Sequence, residues 1–338
     1  MKKLEGLQWL RALAALAVVA FHVEITMAKQ KYFGLPTFPL ANVGFAGVHL
    51  FFVLSGFVIF WAHRDELGRG DAFFGYFWKR VRRLLPPLWV LLLPLFFAWW
   101  FFPPGSSGKD LKGGDFVSAF LIFPLPSVEV LDVEWTLRHE MVFYAIFALL
   151  ILNIYLGGVA MFAWVVLCLV PVFSVPPALS IVFGEVNALF MVGAAVYFLS
   201  RRIDFRVGRW GVLGVLLIWC GAVAFAFYSN ANVHGRSSIY IFSVPSFLAV
   251  LCAVKLEFSD RGVLSEAFGK IGDASYAIYL VHFPVISMLC KLAVRFAAEW
   301  PREVVFLAIF SVSVLAGHVF HAWVERPLLR LLSKPYPG

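Results

Sequence analysis

Residues 43–62 read VGFAGVHLFFVLSGFVIFWA, twenty consecutive residues without Asp, Glu, Lys or Arg. A helix of about twenty apolar residues is long enough to cross the hydrocarbon core of a bilayer. Backbone polar groups that face lipid must be satisfied within the segment, so each such run should be helical. Similar runs predict ten transmembrane helices, at 7–27, 43–62, 84–102, 135–153, 156–174, 178–199, 211–229, 238–254, 272–293 and 304–324. The expected fold is an all-α, polytopic membrane helix bundle that forms one domain over residues 1–338.

The composition of the whole chain favours the same class. Hydrophobic residues make up 62% of the 338 residues and charged residues 14%, and the mean hydropathy is +0.86. Soluble domains contain about 45–50% apolar and about 25% charged residues, so an ordinary soluble protein is excluded. The four cysteines show no CxxC spacing, which suggests neither a disulfide framework nor a metal site.

The distribution of positive charge predicts the orientation in the membrane. Outside the predicted spans, eighteen Lys and Arg residues fall on the side of the N-terminus and seven on the opposite side. Cytoplasmic loops carry the excess of Lys and Arg in membrane proteins. Both termini are therefore predicted to be cytoplasmic, and we expect the bacterial inner membrane. The net charge of +8 is then explained without a nucleic-acid partner.

Two ionisable residues occur within the first predicted span, Arg11 and His22. Ionisable groups are costly inside a membrane and indicate a functional site by default. The two residues are eleven positions apart, about three helical turns, so they share one face with about 16 Å of rise between them. The alternative for His22 is a core histidine that is hydrogen-bonded to a neighbour.

A carboxylate is expected near His22. Glu140 lies in the fourth predicted span, at a depth similar to that of His22. A carboxylate beside an imidazole orients it and raises its basicity, as a general base requires. The alternative is an outer-surface salt bridge that Arg138 forms with Glu134 or Glu140.

A basic cluster, residues 79–83, precedes the third predicted span on the cytoplasmic side. Arg80 and Arg83 are its candidate binding residues, because arginine binds phosphate oxygens bidentately. The alternative is a juxtamembrane cluster that fixes the topology and contacts anionic lipid headgroups.

Five short motifs follow one another along the chain. They are Arg11-x10-His22; Gly47–Phe57; Arg80-x-x-Arg83 ahead of Pro86; Trp135-Thr136-Leu137-x-x-Glu140-x-x-Phe143-Tyr144; and Ser275, Tyr279, Leu280 and His282. Together they resemble the acyltransferase-3 superfamily of integral membrane acyltransferases in its stand-alone form. The resemblance covers Gln8 to Pro327, and Thr136 stands where the family pattern has Ser.

The resemblance implies transfer of an acyl group, commonly acetyl, from acyl-CoA to a hydroxyl of an envelope or exported carbohydrate. Acyl-CoA would be a co-substrate, with no permanently bound cofactor and no metal. His22 would act as the general base and Glu140 would orient it. The residues expected to bind acyl-CoA or the acceptor are Arg11, Arg80, Arg83, Trp135, Ser275 and His282. Trp135 could stack on a sugar ring, and its alternative is an interfacial anchor.

Two other classes of protein remain open from the residues alone. Many spans with buried His, Arg and Glu residues also fit a proton-coupled transporter of a glycan or small metabolite. A non-catalytic receptor or scaffold could keep the same fold, because a fold does not fix an activity. Release of free coenzyme A would distinguish the enzyme from both.

Overall fold

The computed structural model describes residues 5–101, 109–170, 176–231, 235–256 and 262–333. The helices in these ranges are α1 (Glu5–Met27), α2 (Ala46–His63), α3 (Phe73–Phe101), α4 (Gly113–Leu121), α5 (Glu134–Leu152), α6 (Ile154–Leu169), α7 (Ala188–Arg202), α8 (Arg209–Tyr228), α9 (Arg236–Lys255), α10 (Val263–Asp273), α11 (Ser275–Phe296), α12 (Arg302–Phe320) and α13 (Arg326–Leu332). No strand forms in these ranges, apart from one isolated bridge between Val207 and Leu256. The predicted all-α membrane bundle is confirmed.

Eight helical segments of the described ranges are long and apolar enough to cross a membrane. They are α1, α5, α8, α9, α11, and the continuous segments Pro39–His63, Gly70–Phe101 and Arg302–Leu332. The predicted fifth span corresponds to α6, which has 16 residues, and the end of that prediction, 171–174, lies outside the described residues.

The sixth predicted span is shorter than expected. Its helix, α7, begins at Ala188 and has 15 residues, whereas the prediction began at 178. Two 3₁₀ turns, Pro177–Leu179 and Glu185–Asn187, occupy the preceding stretch. Consecutive prolines at 176 and 177 cannot donate backbone hydrogen bonds, and Gly184 is extended between the turns. The hydropathy of this stretch is compatible with a membrane helix, but its backbone is not.

The third helix begins earlier than predicted, at Phe73 and not at 84. The basic cluster was predicted to precede the third membrane helix; this is wrong, because residues 79–83 belong to α3. Lys and Arg are good helix formers, so their charge does not end the helix. Pro86, Pro87 and Pro94 lie inside α3 without ending it. The side chains of residues 79–83 consequently have fixed directions around one helix.

The chain divides into two compact units. The first unit contains residues 1–61 and 189–321, and the second contains residues 62–188 and 322–338. In the first unit, α1 packs on α9, α10, α11 and α12. An apolar core formed by residues such as Val19, Val23, Ile278 and Ile286 joins α1 to α11 and α12. This core holds in register the helices that carry four of the predicted site residues.

Two glycines in the first unit let α2 and α7 meet backbone to backbone. A Cβ atom at Gly56 would lie 2.0 Å from the carbonyl oxygen of Phe190, and one at Gly193 would lie 2.0 Å from that of Val53. No side chain fits such a gap. Gly56 belongs to the 47–57 motif, and small residues of this kind allow helices to approach closely.

Candidate active site

Four of the predicted site residues meet where α1 packs against α11, in the first unit. Nε of Arg11 donates a hydrogen bond to Oγ of Ser275 at 3.1 Å. Nδ1 of His22 and Nε2 of His282 are 3.0 Å apart. We call this set of four residues the polar seam. The sequence predicted that Arg11 and His22 share a face of α1, and the structure identifies what that face contacts.

The polar seam shows that α1 and α11 run parallel. Arg11 precedes His22 along α1, and their respective partners Ser275 and His282 follow the same order along α11. The predicted topology, in which the first and ninth spans cross in the same direction, requires this arrangement. The seam therefore has one end with a cation and a hydroxyl, and another end with two imidazoles.

The hydrogen-bond partners fix the tautomers of both histidines in their neutral state. Nδ1 of His22 lies 3.0 Å from the carbonyl oxygen of Val18, and Nδ1 of His282 lies 3.0 Å from that of Ile278. A carbonyl oxygen only accepts, so each Nδ1 carries the hydrogen and each Nε2 carries a lone pair. Nε2 of His282 then accepts from Nδ1–H of His22. The basic nitrogen of His22 is Nε2, on the opposite side of its ring.

The two rings differ in exposure. His282 is fully buried, and its ring centroid lies 5.7 Å from that of Tyr279. His22 is half-buried, and the ring of Phe283 stands edge-on to it at 5.3 Å. The alternative for His22 was a core histidine that is hydrogen-bonded to a neighbour. His22 has such a neighbour, but this neighbour is a second imidazole, that of His282. His22 thus retains some exposure, and the buried His282 holds its ring through one hydrogen bond.

Glu140 lies in the second unit, on α5, and accepts a short hydrogen bond from the hydroxyl of Tyr144. The main chain of Tyr144 accepts a further bond from the hydroxyl of Tyr76, at 3.1 Å. Because His22 belongs to the first unit, its predicted pairing with Glu140 joins two units and stays a prediction.

The salt bridge considered as an alternative for this region forms between Arg138 and Glu134. Nη2 of Arg138 lies 2.6 Å from Oε1 of Glu134, and Nη1 donates to the carbonyl oxygen of Leu125 at 2.7 Å. The partners are those that the alternative named, but the pair is not exposed, because both side chains are about 98% buried. A buried pair of this kind needs additional hydrogen bonds, which the Leu125 carbonyl supplies here.

The predicted donor-binding arginines lie on α3 in the second unit, one turn apart. Nη2 of Arg80 lies 3.0 Å from Nε2 of His63, and its guanidinium carbon lies 5.8 Å from the ring centroid of Tyr144. Arg83 is three residues further along the same helix and shares its face with Arg80. Arg82 points elsewhere, because its Nη1 donates to the carbonyl oxygen of Leu332 at 3.0 Å.

Trp135 lies near the start of α5, where its half-buried ring is perpendicular to that of His139 at 5.8 Å. Nδ1 of His139 lies 2.9 Å from Oδ1 of Asn187. The amide nitrogen of Asn187 donates to the carbonyl oxygens of Ile181 and Val182. This network joins the turns before α7 to α5 and supports the Trp135 ring from one side. Stacking of Trp135 on a sugar stays a prediction.

The sequence analysis missed His63 and Glu66. In the sequence His63 looks like the last residue of a span. Glu66 looks like part of an ordinary charged loop, because Arg64, Asp65 and Glu66 follow His63 directly. The available signal was the spacing of an imidazole and a carboxylate three residues apart, followed by a basic cluster.

Comparison with known proteins covers almost the whole chain. Residues 4–321 match a family model described as an acyltransferase domain. Acyltransferase MdmB of Streptomyces mycarofaciens is 26% identical over 99% of this chain and 93% of its own length. Exopolysaccharide production protein ExoZ of Rhizobium meliloti is 28% identical over 86% of this chain and 90% of its own length.

A further relative is longer than this chain. Peptidoglycan O-acetyltransferase OatA of Listeria monocytogenes is 25% identical over 97% of this chain but only 56% of its own length. This chain thus spans about half of that protein. No solved structure matches the chain. The family match, which extends over nearly every described helix, confirms what the five motifs predicted: the chain belongs to the acyltransferase-3 family and is an acyltransferase.

Proposed function

We propose that this protein transfers an acetyl group from acetyl-CoA to a hydroxyl of an envelope or exported carbohydrate. The observation that carries the proposal is the basic Nε2 of His22, set by the contacts of Nδ1 with Val18 and His282. The printed names of two relatives, a peptidoglycan O-acetyltransferase and an exopolysaccharide production protein, support a carbohydrate acceptor. The proposed setting is the bacterial inner membrane, with both termini cytoplasmic.

The transfer step uses one base. Nε2 of His22 takes the proton of the acceptor hydroxyl while the oxygen attacks the thioester carbonyl carbon. A carbon–oxygen bond forms, the carbon–sulfur bond breaks, and the coenzyme A thiolate leaves. The imidazolium of His22 then returns the proton to sulfur, so the products are an ester and free coenzyme A. An imidazole is suited to both transfers, because its ordinary pKa lies near neutrality.

The other predicted residues bind or orient the reactants in this proposal. Arg80 and Arg83 bind the phosphates of acetyl-CoA from the cytoplasmic side, and Trp135 contacts the acceptor. Arg11, held by Ser275, binds either a phosphate or the thioester carbonyl. Glu140 contributes its carboxylate to the orientation of His22.

Release of free coenzyme A tests this function directly. The purified chain in nanodiscs, given acetyl-CoA and an extract of envelope glycans, is expected to release thiol and to acetylate the glycan. Thiol is followed with a chromogenic disulfide and ester by mass spectrometry. Glycan binding without release of thiol would support the transporter and contradict the acyltransfer.

Substitution of His282 gives a second test, which asks whether this residue orients His22. The hydrogen bond from His22 to His282 strengthens as His22 becomes cationic in the transition state, so its loss should lower kcat. Hydrogen bonds to charged groups contribute about 1.5–3 kcal/mol, which corresponds to a loss of roughly ten- to a hundredfold. We expect this loss for His282→Leu, with little change in the KM for acetyl-CoA.

The matched control is His282→Gln, whose amide oxygen can replace Nε2 as the acceptor. It should recover much of the lost kcat. Equal losses in both variants, or a loss that appears in KM instead of kcat, would contradict an orienting role.

A further inference from the structure

A chain of hydrogen bonds connects the end of α2 to Arg80 in the second unit. Oε2 of Glu66 lies 2.7 Å from Nδ1 of His63, and Nε2 of His63 lies 3.0 Å from Nη2 of Arg80. Lys79 contacts the other carboxylate oxygen of Glu66 at 2.9 Å. None of His63, Glu66 and Lys79 has a role in the mechanism described so far.

The guanidinium of Arg80 determines which group donates and which accepts in each of these hydrogen bonds. A guanidinium carries hydrogen on every nitrogen and cannot accept, so Nε2 of His63 must be the acceptor. His63 is then the neutral tautomer with its hydrogen on Nδ1, and it donates to Glu66. Burial raises the pKa of Glu66, but hydrogen bonds from Lys79 and His63 outweigh burial and hold that pKa below its ordinary value. Glu66 is accordingly a carboxylate at neutral pH.

The surroundings of His63 keep its ring in place. His63 is only 2% exposed, and the ring of Tyr76 stands edge-on to it at 4.8 Å. Burial of a polar ring is unfavourable unless the ring is hydrogen-bonded, and both nitrogens of His63 have partners. Arg80 is thereby held at one edge by His63 and contacts the aromatic face of Tyr144, an arrangement in which a cation and a ring attract each other.

A neutral imidazole has a different effect on Arg80 from that of a carboxylate. A carboxylate in direct contact would neutralise the guanidinium and compete with an incoming phosphate. The imidazole fixes the guanidinium through one hydrogen without adding a negative charge of its own, and Glu66 acts one residue further away. An arginine fixed in this way loses less rotamer freedom when it binds an anion.

We propose that His63, oriented by Glu66, is a positioning residue that fixes Arg80 for a phosphate of the acyl donor. This inference rests on the proposed function, in which Arg80 and Arg83 bind the donor. It assigns His63 to donor affinity and not to the chemical step, because His63 contacts the arginine and not the reacting atoms.

Two amide substitutions of His63 separate its two hydrogen bonds. In His63→Asn the amide takes the place of Nδ1, so the contact with Glu66 is kept and the acceptor for Arg80 is lost. In His63→Gln the amide reaches the place of Nε2, so the acceptor for Arg80 is kept. The full chain in nanodiscs should show a KM for acetyl-CoA about tenfold higher in His63→Asn, with kcat unchanged at saturating donor. His63→Gln should remain within about threefold of the wild type.

A donor without phosphates makes the test specific. Acetyl-pantetheine has the same thioester and no phosphate, so its KM should be equal in the wild type and in His63→Asn. A rise with acetyl-pantetheine equal to that with acetyl-CoA would overturn the inference. Glu66→Ala, at a carboxylate that is 23% exposed, is a second variant should His63→Asn fail to fold, and it should also raise the KM for acetyl-CoA alone.

The outcomes distinguish this inference from the proposed function. A wild-type protein that releases no thiol from acetyl-CoA contradicts the proposed function and the inference together. A wild-type protein that turns over acetyl-CoA, with an unchanged KM in His63→Asn and Glu66→Ala, contradicts the inference alone.

Discussion

Replacement of His22 by glutamine is expected to lower kcat by roughly a hundred- to ten-thousandfold, the range that general acid–base catalysis contributes. The amide of glutamine is polar and of similar reach, but it does not accept a proton at neutral pH. Binding of the donor should be little affected, so the KM for acetyl-CoA should stay close to that of the wild type. The measurement is steady-state thiol release by the purified variant, with thermal unfolding recorded in parallel.

His318 provides the matched control for His22. It is another half-buried histidine in a membrane helix of the first unit, on α12, and it lies outside the polar seam. His318→Gln should leave kcat close to that of the wild type. A His22→Gln protein with normal kcat would remove His22 from the catalytic step, whatever its structural role.

Replacement of Arg83 by alanine is expected to act on the donor and not on the chemistry. The variant loses a charged hydrogen-bonding group, and such bonds contribute about 1.5–3 kcal/mol. The KM for acetyl-CoA should therefore rise by roughly ten- to a hundredfold, with a smaller change in kcat. Saturation curves for acetyl-CoA at fixed acceptor concentration give both quantities.

Arg82 is the control for this substitution, because it has the same charge and lies next to Arg83 on the same helix. Its side chain bonds the carbonyl oxygen of Leu332, so Arg82→Ala should leave the KM for acetyl-CoA close to that of the wild type. Equal increases in the two variants would show that the cluster acts through its total charge. An unchanged KM in Arg83→Ala would indicate that the cluster only fixes the topology and contacts lipid headgroups.

Hydropathy predicted most of the membrane helices, since a helix of apolar residues in lipid has no alternative to satisfying its own backbone. The prediction from hydropathy failed where the hydropathy of the side chains disagrees with the backbone conformation that the residues favour. At 178–187 most side chains are apolar, but Pro176 and Pro177 just before them, and Gly184 among them, favour turns. At 79–83 four of the five side chains are charged, but Lys and Arg are good helix formers, so α3 begins well before the predicted start at 84.

The candidate site was predictable one helix at a time. The eleven-residue spacing of Arg11 and His22 showed that they share a face, because that spacing reflects the period of a single helix. Their partners Ser275 and His282 lie 264 and 260 positions away in sequence, and no local pattern encodes that contact. His63 was missed for a related reason, since its importance comes from Arg80 on the next helix and not from its own neighbours.

The tautomers of the polar seam also restrict the route of a proton. A relay needs members that both receive and pass on hydrogen, and the series that begins at Nε2 of His22 ends at the carbonyl oxygen of Ile278, which can only receive. A proton taken up at Nε2 of His22 is therefore not relayed beyond His282. It must leave from Nε2 of His22, where it was taken up. This arrangement fits the proposed role of His22 as a base that returns its proton to the leaving sulfur.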